Sequence, residues 1–377
     1  MPFTSPSERP APQTSPIISL PDELLSSIVL NYTIPPTTLE NLTNEDINTP
    51  LTSWVSNTLQ TLATVCERRK ALFDLIRVSK RFYNLLANNL YESTCLFIPD
   101  IRSIDDFTRG ENDYRVDTIV QDSFWAKHDL ASLTADRLRA LFWVSETKTL
   151  VCRNREVNDK RRSFCLDSSF LHAENVQLLN CSISTLRDLL EFSKFTNLKT
   201  LKIDVDLGDY SNDRIIFADS EALGTCISRL RRHDTALESL TIQTRNLQVL
   251  RGSLWPIGIV SYSEFKNLRR LSVMKEHLAY QTTLDSSPFV TLLPKTLEEL
   301  QVLFGKEAYD QFLFSEVWVV QLLDAKPTLV KQLRKVVVIG VIGREEGDTS
   351  ESFVPTQELR DVAGELGVDI EIKVERT

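Results

Sequence analysis

NLRRLSV, residues 267 to 273, is one of six copies of a short phrase that returns along the second half of this chain. The others are NVQLLNC (175–181), NLKTLKI (197–203), ALESLTI (236–242), TLEELQV (296–302) and QLRKVVV (332–338). Each sets apolar anchors at the first, fourth and sixth places of L-x-x-L-x-ψ. The triads are Val176/Leu179/Cys181, Leu198/Leu201/Ile203, Leu237/Leu240/Ile242, Leu268/Leu271/Val273, Leu297/Leu300/Val302 and Leu333/Val336/Val338. In five of the six, both residues between the first two anchors are polar. The apolar alternation that closes each phrase is a strand signal. Helical patterns lie between the copies: STLRDLLEFSKF (184–195), EALGTCISRLRRH (221–233) and SEVWVVQLLDA (315–325). The copies recur every 22 to 39 residues, within or near the periods of repeat arrays.

Strand, loop, helix and strand again resembles the leucine-rich repeats. The resemblance implies an α/β fold: an irregular arc with parallel strands on a concave face and helices on a convex one. One such unit cannot bury its apolar side alone, so neighbours stack into a continuous core. This chain departs from the usual pattern in lacking an Asn ladder and in its uneven, long spacing. STCLFI (93–98) and ETKTLVC (146–152) read as earlier strands, and VDIEIKV (368–374) as the one that ends the sheet. Residues flanking each central anchor point to the concave face: Thr200, Lys202, Ser239, Thr241, Arg270, Ser272, Glu299, Gln301, Lys335 and Val337. A row of mixed polar side chains on a rigid sheet suits recognition of a target protein.

The first hundred residues have a different texture. MPFTSPSERPAPQTSP reads as a Pro/Ser-rich disordered tail, with no apolar stretch for a secretory signal and an acidic Glu8 that argues against a transit peptide. Ser19, Pro21 and Asp22 then form a helix-start signal, followed by Leu24, Leu25, Ile28 and Val29 on one face. In FDLIRVSKRFYNLLANNLYES (73–93), Leu75, Val78, Ser79, Phe82 and Leu86 follow one another down a second helix.

SLPDELLSSIV and LIRVSKRFYNLLANNLYES together resemble an F-box. In that family a three-helix unit docks on a Skp-type adaptor, which joins it to a cullin and a ubiquitin-conjugating partner. Carried over by position, the resemblance implies that Leu20, Pro21, Leu24, Leu25, Ile28, Val78, Ser79 and Phe82 meet the adaptor. A few apolar anchors supply most of the energy in such helix-in-groove recognition. The departure is an insertion over 31–74. Its first part, PPTTLENLTNEDINTP, reads as a loop; its remainder, LTSWVSNTLQTLATVCERRKALF, has Val55, Leu59, Leu62 and Cys66 at helical spacing and adds a helix.

Composition narrows the function classes. A net charge of −9 speaks against a general nucleic-acid surface. Apolar runs such as VVVI (336–339) fall far short of the roughly 18 residues a membrane helix needs. The six cysteines contain no C-x-x-C pair, and the four histidines no H-E-x-x-H. KVVVIGVIGREEG (335–347) runs a strand into glycines, but their spacing misses G-x-G-x-x-G and acid follows where a pyrophosphate wants N–H groups. Neither a cofactor nor a metal is expected.

The chain therefore divides into a tail (1–16), an F-box-like helical module (17–93) and a repeat domain (94–377). The resemblances imply a non-enzymatic substrate-recognition subunit of a Skp-cullin-F-box ubiquitin ligase, working in the cytoplasm or nucleus. The alternative is an interaction scaffold that retains the fold without the ligase link.

Overall fold

A computed structural model describes residues 20, 21, 23–25, 27, 51–78, 80, 82, 84, 95–97, 118–122, 149–153, 173–181, 197–206, 227, 230, 236–245, 261–278, 289–305, 315–342 and 355–376. Among these residues ten strands form one sheet: β1 (Cys95–Phe97), β2 (Thr118–Asp122), β3 (Thr149–Arg153), β4 (Asn175–Cys181), β5 (Thr200–Asp206), β6 (Ser239–Arg245), β7 (Arg270–Met274), β8 (Glu299–Phe304), β9 (Lys335–Ile342) and β10 (Asp369–Arg376). Their order across the sheet is their order in the sequence, and every neighbouring pair is parallel.

The phrase builds the core. Leu201, Leu240, Leu271, Leu300 and Val336 stand side by side across β5 to β9, and Ile203, Ile242, Val273, Val302 and Val338 form the next row. All ten are buried, as are the first-place anchors Leu198, Leu237, Leu268, Leu297 and Leu333. Helices cover this face. Trp318, Val319, Leu322 and Leu323 of α2 (Ser315–Ala325), with Leu359 and Ala363 of α3 (Gln357–Glu365), join the same cluster. Phe289 stacks on Trp318 with ring centroids 3.8 Å apart, and Phe304 meets that indole edge-on.

The two polar places inside the phrase set the register. The carbonyl of Glu238 accepts from the amides of Arg269 and Arg270, that of Arg269 from Glu298 and Glu299, and that of Glu298 from Arg334 and Lys335. Glu174 and Lys199 continue the pattern on the other side. The side chains along this seam alternate in sign: Glu174, Lys199, Glu238, Arg269, Glu298, Arg334. Ion pairs follow at 2.9 Å (Lys199–Glu174), 3.5 Å (Arg269–Glu298) and 3.2 Å (Arg334–Glu298). The hydrogen bond and charge of Glu174 hold the Lys199 ammonium above its ordinary range. Exposed pairs of this kind are screened by water, so they favour the correct neighbour more than they stabilise the whole.

Four features differ from the sequence reading. In β4, Val176 and Leu178 stand opposite Leu201 and Ile203, so the repeat register there is Ala173/Val176/Leu178 rather than Val176/Leu179/Cys181. The slip is absorbed by a bulge between Leu178 and Cys181, where Asn180 has φ 54° and its N–H donates to Asp204 Oδ2 at 3.0 Å. Asn tolerates that left-handed conformation better than most residues. TIVQD (118–122) supplies a strand, β2, whose adjacent Ile119 and Val120 show no alternation. QELRDVAGE (357–365) supplies α3, capped by Thr356 and closed by Gly367 at φ 64°. Finally, the inserted helix and the Val-Ser segment run together as one helix, α1 (Leu51–Val78), which crosses the boundary placed at residue 74.

The tail and the segment 184–195 lie outside the described residues. Ile227 and Leu230, within 221–233, are helical and buried in the core. Gly340 is an ordinary strand residue paired with Phe304 and Val374. No helix among the described residues is long and apolar enough to cross a membrane.

Candidate functional site

Two surfaces carry the residues singled out from the sequence. The first is the amino-terminal module. Glu23, Leu24, Leu25 and Ser27 are helical, and the Leu25 amide donates to the Pro21 carbonyl at 3.0 Å. Leu24 is 53% exposed whereas Leu25 is buried. The second motif segment divides the same way: Val78 is 59% exposed and Phe82 is buried. Pro21 is exposed and Leu20 half-buried. Ile28 and Ser79 lie outside the described residues.

The second is the sheet face turned away from the main core. Strand parity brings Thr200, Ser239, Arg270, Glu299 and Lys335 into one row, and Lys202, Thr241, Ser272, Gln301 and Val337 into the next. Thr200, Lys202, Arg270, Ser272, Glu299 and Lys335 are half-buried. Ser239, Thr241, Gln301 and Val337 are buried, so the two rows are not an open polar surface along their length.

The reason is α1. Its stripe of Trp54, Val55, Leu62 and Val65, with Leu59 packed beside it, shares a second apolar cluster with Val151, Leu179, Met274, Leu303, Val337, Ile339 and Val341 of the sheet. Thr58 Oγ1 reaches Gln177 Oε1 on β4, and the helix also lies against β6. Val55, Leu59 and Leu62 are residues whose spacing marked the helix; Val65 takes the next inward place, and the side chain of Cys66 lies outside the described residues. A signal for this cover is present in the sequence. VLF (302–304) and VVVIGVI (336–342) are runs without a polar side chain, the mark of strands buried on both faces, while β10 alternates and keeps Glu371 and Lys373 half-exposed.

At the carboxyl ends of β6 and β7 a small polar group is enclosed. His277 Nε2 lies 3.0 Å from Thr244 Oγ1, and the Thr244 amide donates to Met274 Sδ at 3.2 Å. Burial lowers the His277 imidazole to about 4 and pulls the Lys275 amine below its usual range. Tyr262, also enclosed, is pushed up by burial. These groups face no cluster of ligating side chains: among the described residues no three of His, Cys, Asp or Glu are placed to hold a metal ion. The buried imidazole reads as a packed core residue.

No protein-family model, curated protein or solved structure matches this chain.

Proposed function

We propose that this chain is a target-recognition subunit of a Skp-, cullin- and F-box-type ubiquitin ligase. The carrying observation is the division within each motif segment. Leu25 and Phe82 point inward, while Leu24 and Val78, at 53% and 59% exposure, leave an apolar side chain in water on each. The buried partner fixes the segment and the outward one is available to an adaptor groove, which is how helix-in-groove anchors work. The sequentially ordered parallel sheet with its leucine ladder is compatible with the leucine-rich-repeat part of the reading. Tethering through one module and target binding through the other raises the effective concentration of a target lysine near the conjugating enzyme. The chain itself performs no chemistry.

Co-expression with a Skp-type adaptor tests this. The expected result is a stable complex in size-exclusion chromatography that is lost for Leu24→Asp and Val78→Asp, both changes at exposed sites. Elution of the unaltered chain alone would sink the ligase reading. It would leave a second one, an interaction scaffold, which is favoured by the fusion of the insertion with the Val-Ser segment in α1.

A further inference from the structure

We infer that the sheet face beneath α1 is a receptor for an amphipathic helix, and that the first half of α1 holds it as an intramolecular stand-in for a helix on the target protein. This rests on the target-reading role proposed above for that face.

Three observations carry it. First, among the described side chains of α1 those buried are Trp54, Val55, Thr58, Leu62 and Val65, all within 54 to 65. These positions span about three turns and, Thr58 apart, share an apolar cluster with the sheet. Second, the surface beneath is mixed. Gln177, Thr241 and Gln301 lie buried among the apolar residues that α1 covers, a composition closer to a protein–protein interface than to an obligate core. Third, the polar fit is incomplete. Trp54 is 6% exposed, and its indole N–H has no hydrogen-bond partner among the described residues; nor has Gln243 Oε1 on β6, the strand α1 lies against. Thr58 and Gln177 meet at 3.4 Å, a long contact. An enclosed donor left unmet weakens the state that encloses it.

The required partner follows from the occupant. It is a helix with an aromatic residue and aliphatic residues at the spacing of Trp54, Val55, Leu62 and Val65, uncharged along that stripe, with a donor able to satisfy Gln243. Such a helix competes directly with α1, so binding needs a population in which α1 has lifted. α1 remains attached at both ends, which makes the exchange reversible.

Hydrogen exchange on the unaltered full chain is the first test. Amides of 56–65 are expected to exchange at least tenfold faster than those of β8 and β9, through an opening that leaves the sheet intact. Equal protection of helix and strands would overturn the proposal. The second test uses a fluorescent peptide of residues 51–68 against the full chain and its Leu62→Asp/Val65→Asp variant. At least tenfold tighter binding to the variant is expected; no binding to a variant whose circular dichroism and Tm show the sheet intact also overturns it. Should that variant fail to fold, the exchange measurement decides alone. Adaptor capture is independent of both. Loss of capture with peptide binding retained removes the ligase reading, and the converse removes the helix receptor.

Discussion

Thr58 Oγ1 and Gln177 Oε1 stand 3.4 Å apart although 119 positions separate them in the chain. That contact joins the inserted helix to the sheet and turns an expected open recognition face into a partly covered one. Without that helix, Gln177 and Val337 would lose the cover that α1 gives them.

The leucine ladder bears the stability of the repeat half. Leu271 is buried between Leu240 and Leu300, so Leu271→Ala is expected to cost about 2–5 kcal/mol in urea unfolding. Arg334→Ala, which removes exposed ion pairs to Glu298 and Glu299, should cost under about 1 kcal/mol. The inverse ranking would place the sheet's stability in its charged seam.

Gly367 closes α3 in the left-handed region at φ 64°. Its N–H donates to the Gly364 carbonyl and that of Val368 to the Ala363 carbonyl, the pairing of a Schellman turn. An added Cβ meets nothing within 4 Å, so the cost of Gly367→Ala is conformational alone, about 1 kcal/mol. An unchanged unfolding midpoint would contradict that account.

Acid should destabilise the fold through His277. Its imidazole is held neutral down to about 4, against an ordinary value of 6.5. Between those limits the unfolded chain binds a proton that the folded chain does not, so stability falls as pH drops from 6.5 towards 4. The loss is on the order of 3 kcal/mol. Unfolding free energies measured across that range for the unaltered chain and for His277→Gln should converge towards acid; parallel curves would exclude the residue as the source.

Leu24 and Leu25 are neighbours with opposite fates. Leu24→Asp changes an exposed side chain and should alter stability by less than about 0.5 kcal/mol, while removing adaptor capture. Leu25→Asp places a carboxylate in an enclosed apolar site and is expected to unfold the segment around it. Differential scanning of the two variants, before any binding assay, checks the assignment. Equal melting shifts would refute the inward and outward division.

Much of this arrangement was legible in one dimension. The spacing of Leu, Leu and a β-branched residue located β5 to β9, because a strand with one face on a core must repeat its apolar residues at alternate places. SEVWVVQLLDA announced α2 by the same logic at a helical period, and the alternation of Ile370, Ile372 and Val374 marked the final strand. What remained hidden has a physical cause in each case. β2, TIVQD over Thr118–Asp122, sets its two apolar residues, Ile119 and Val120, side by side and so shows no alternation. The β4 register depends on a bulge at Asn180, which inserts a residue without altering local composition. The largest difference, the fate of the two polar rows, is a matter of long-range packing: the amphipathic stripe of Trp54, Val55, Leu62 and Val65 states that α1 must cover something, and only the folded chain decides that it covers the second face of its own sheet.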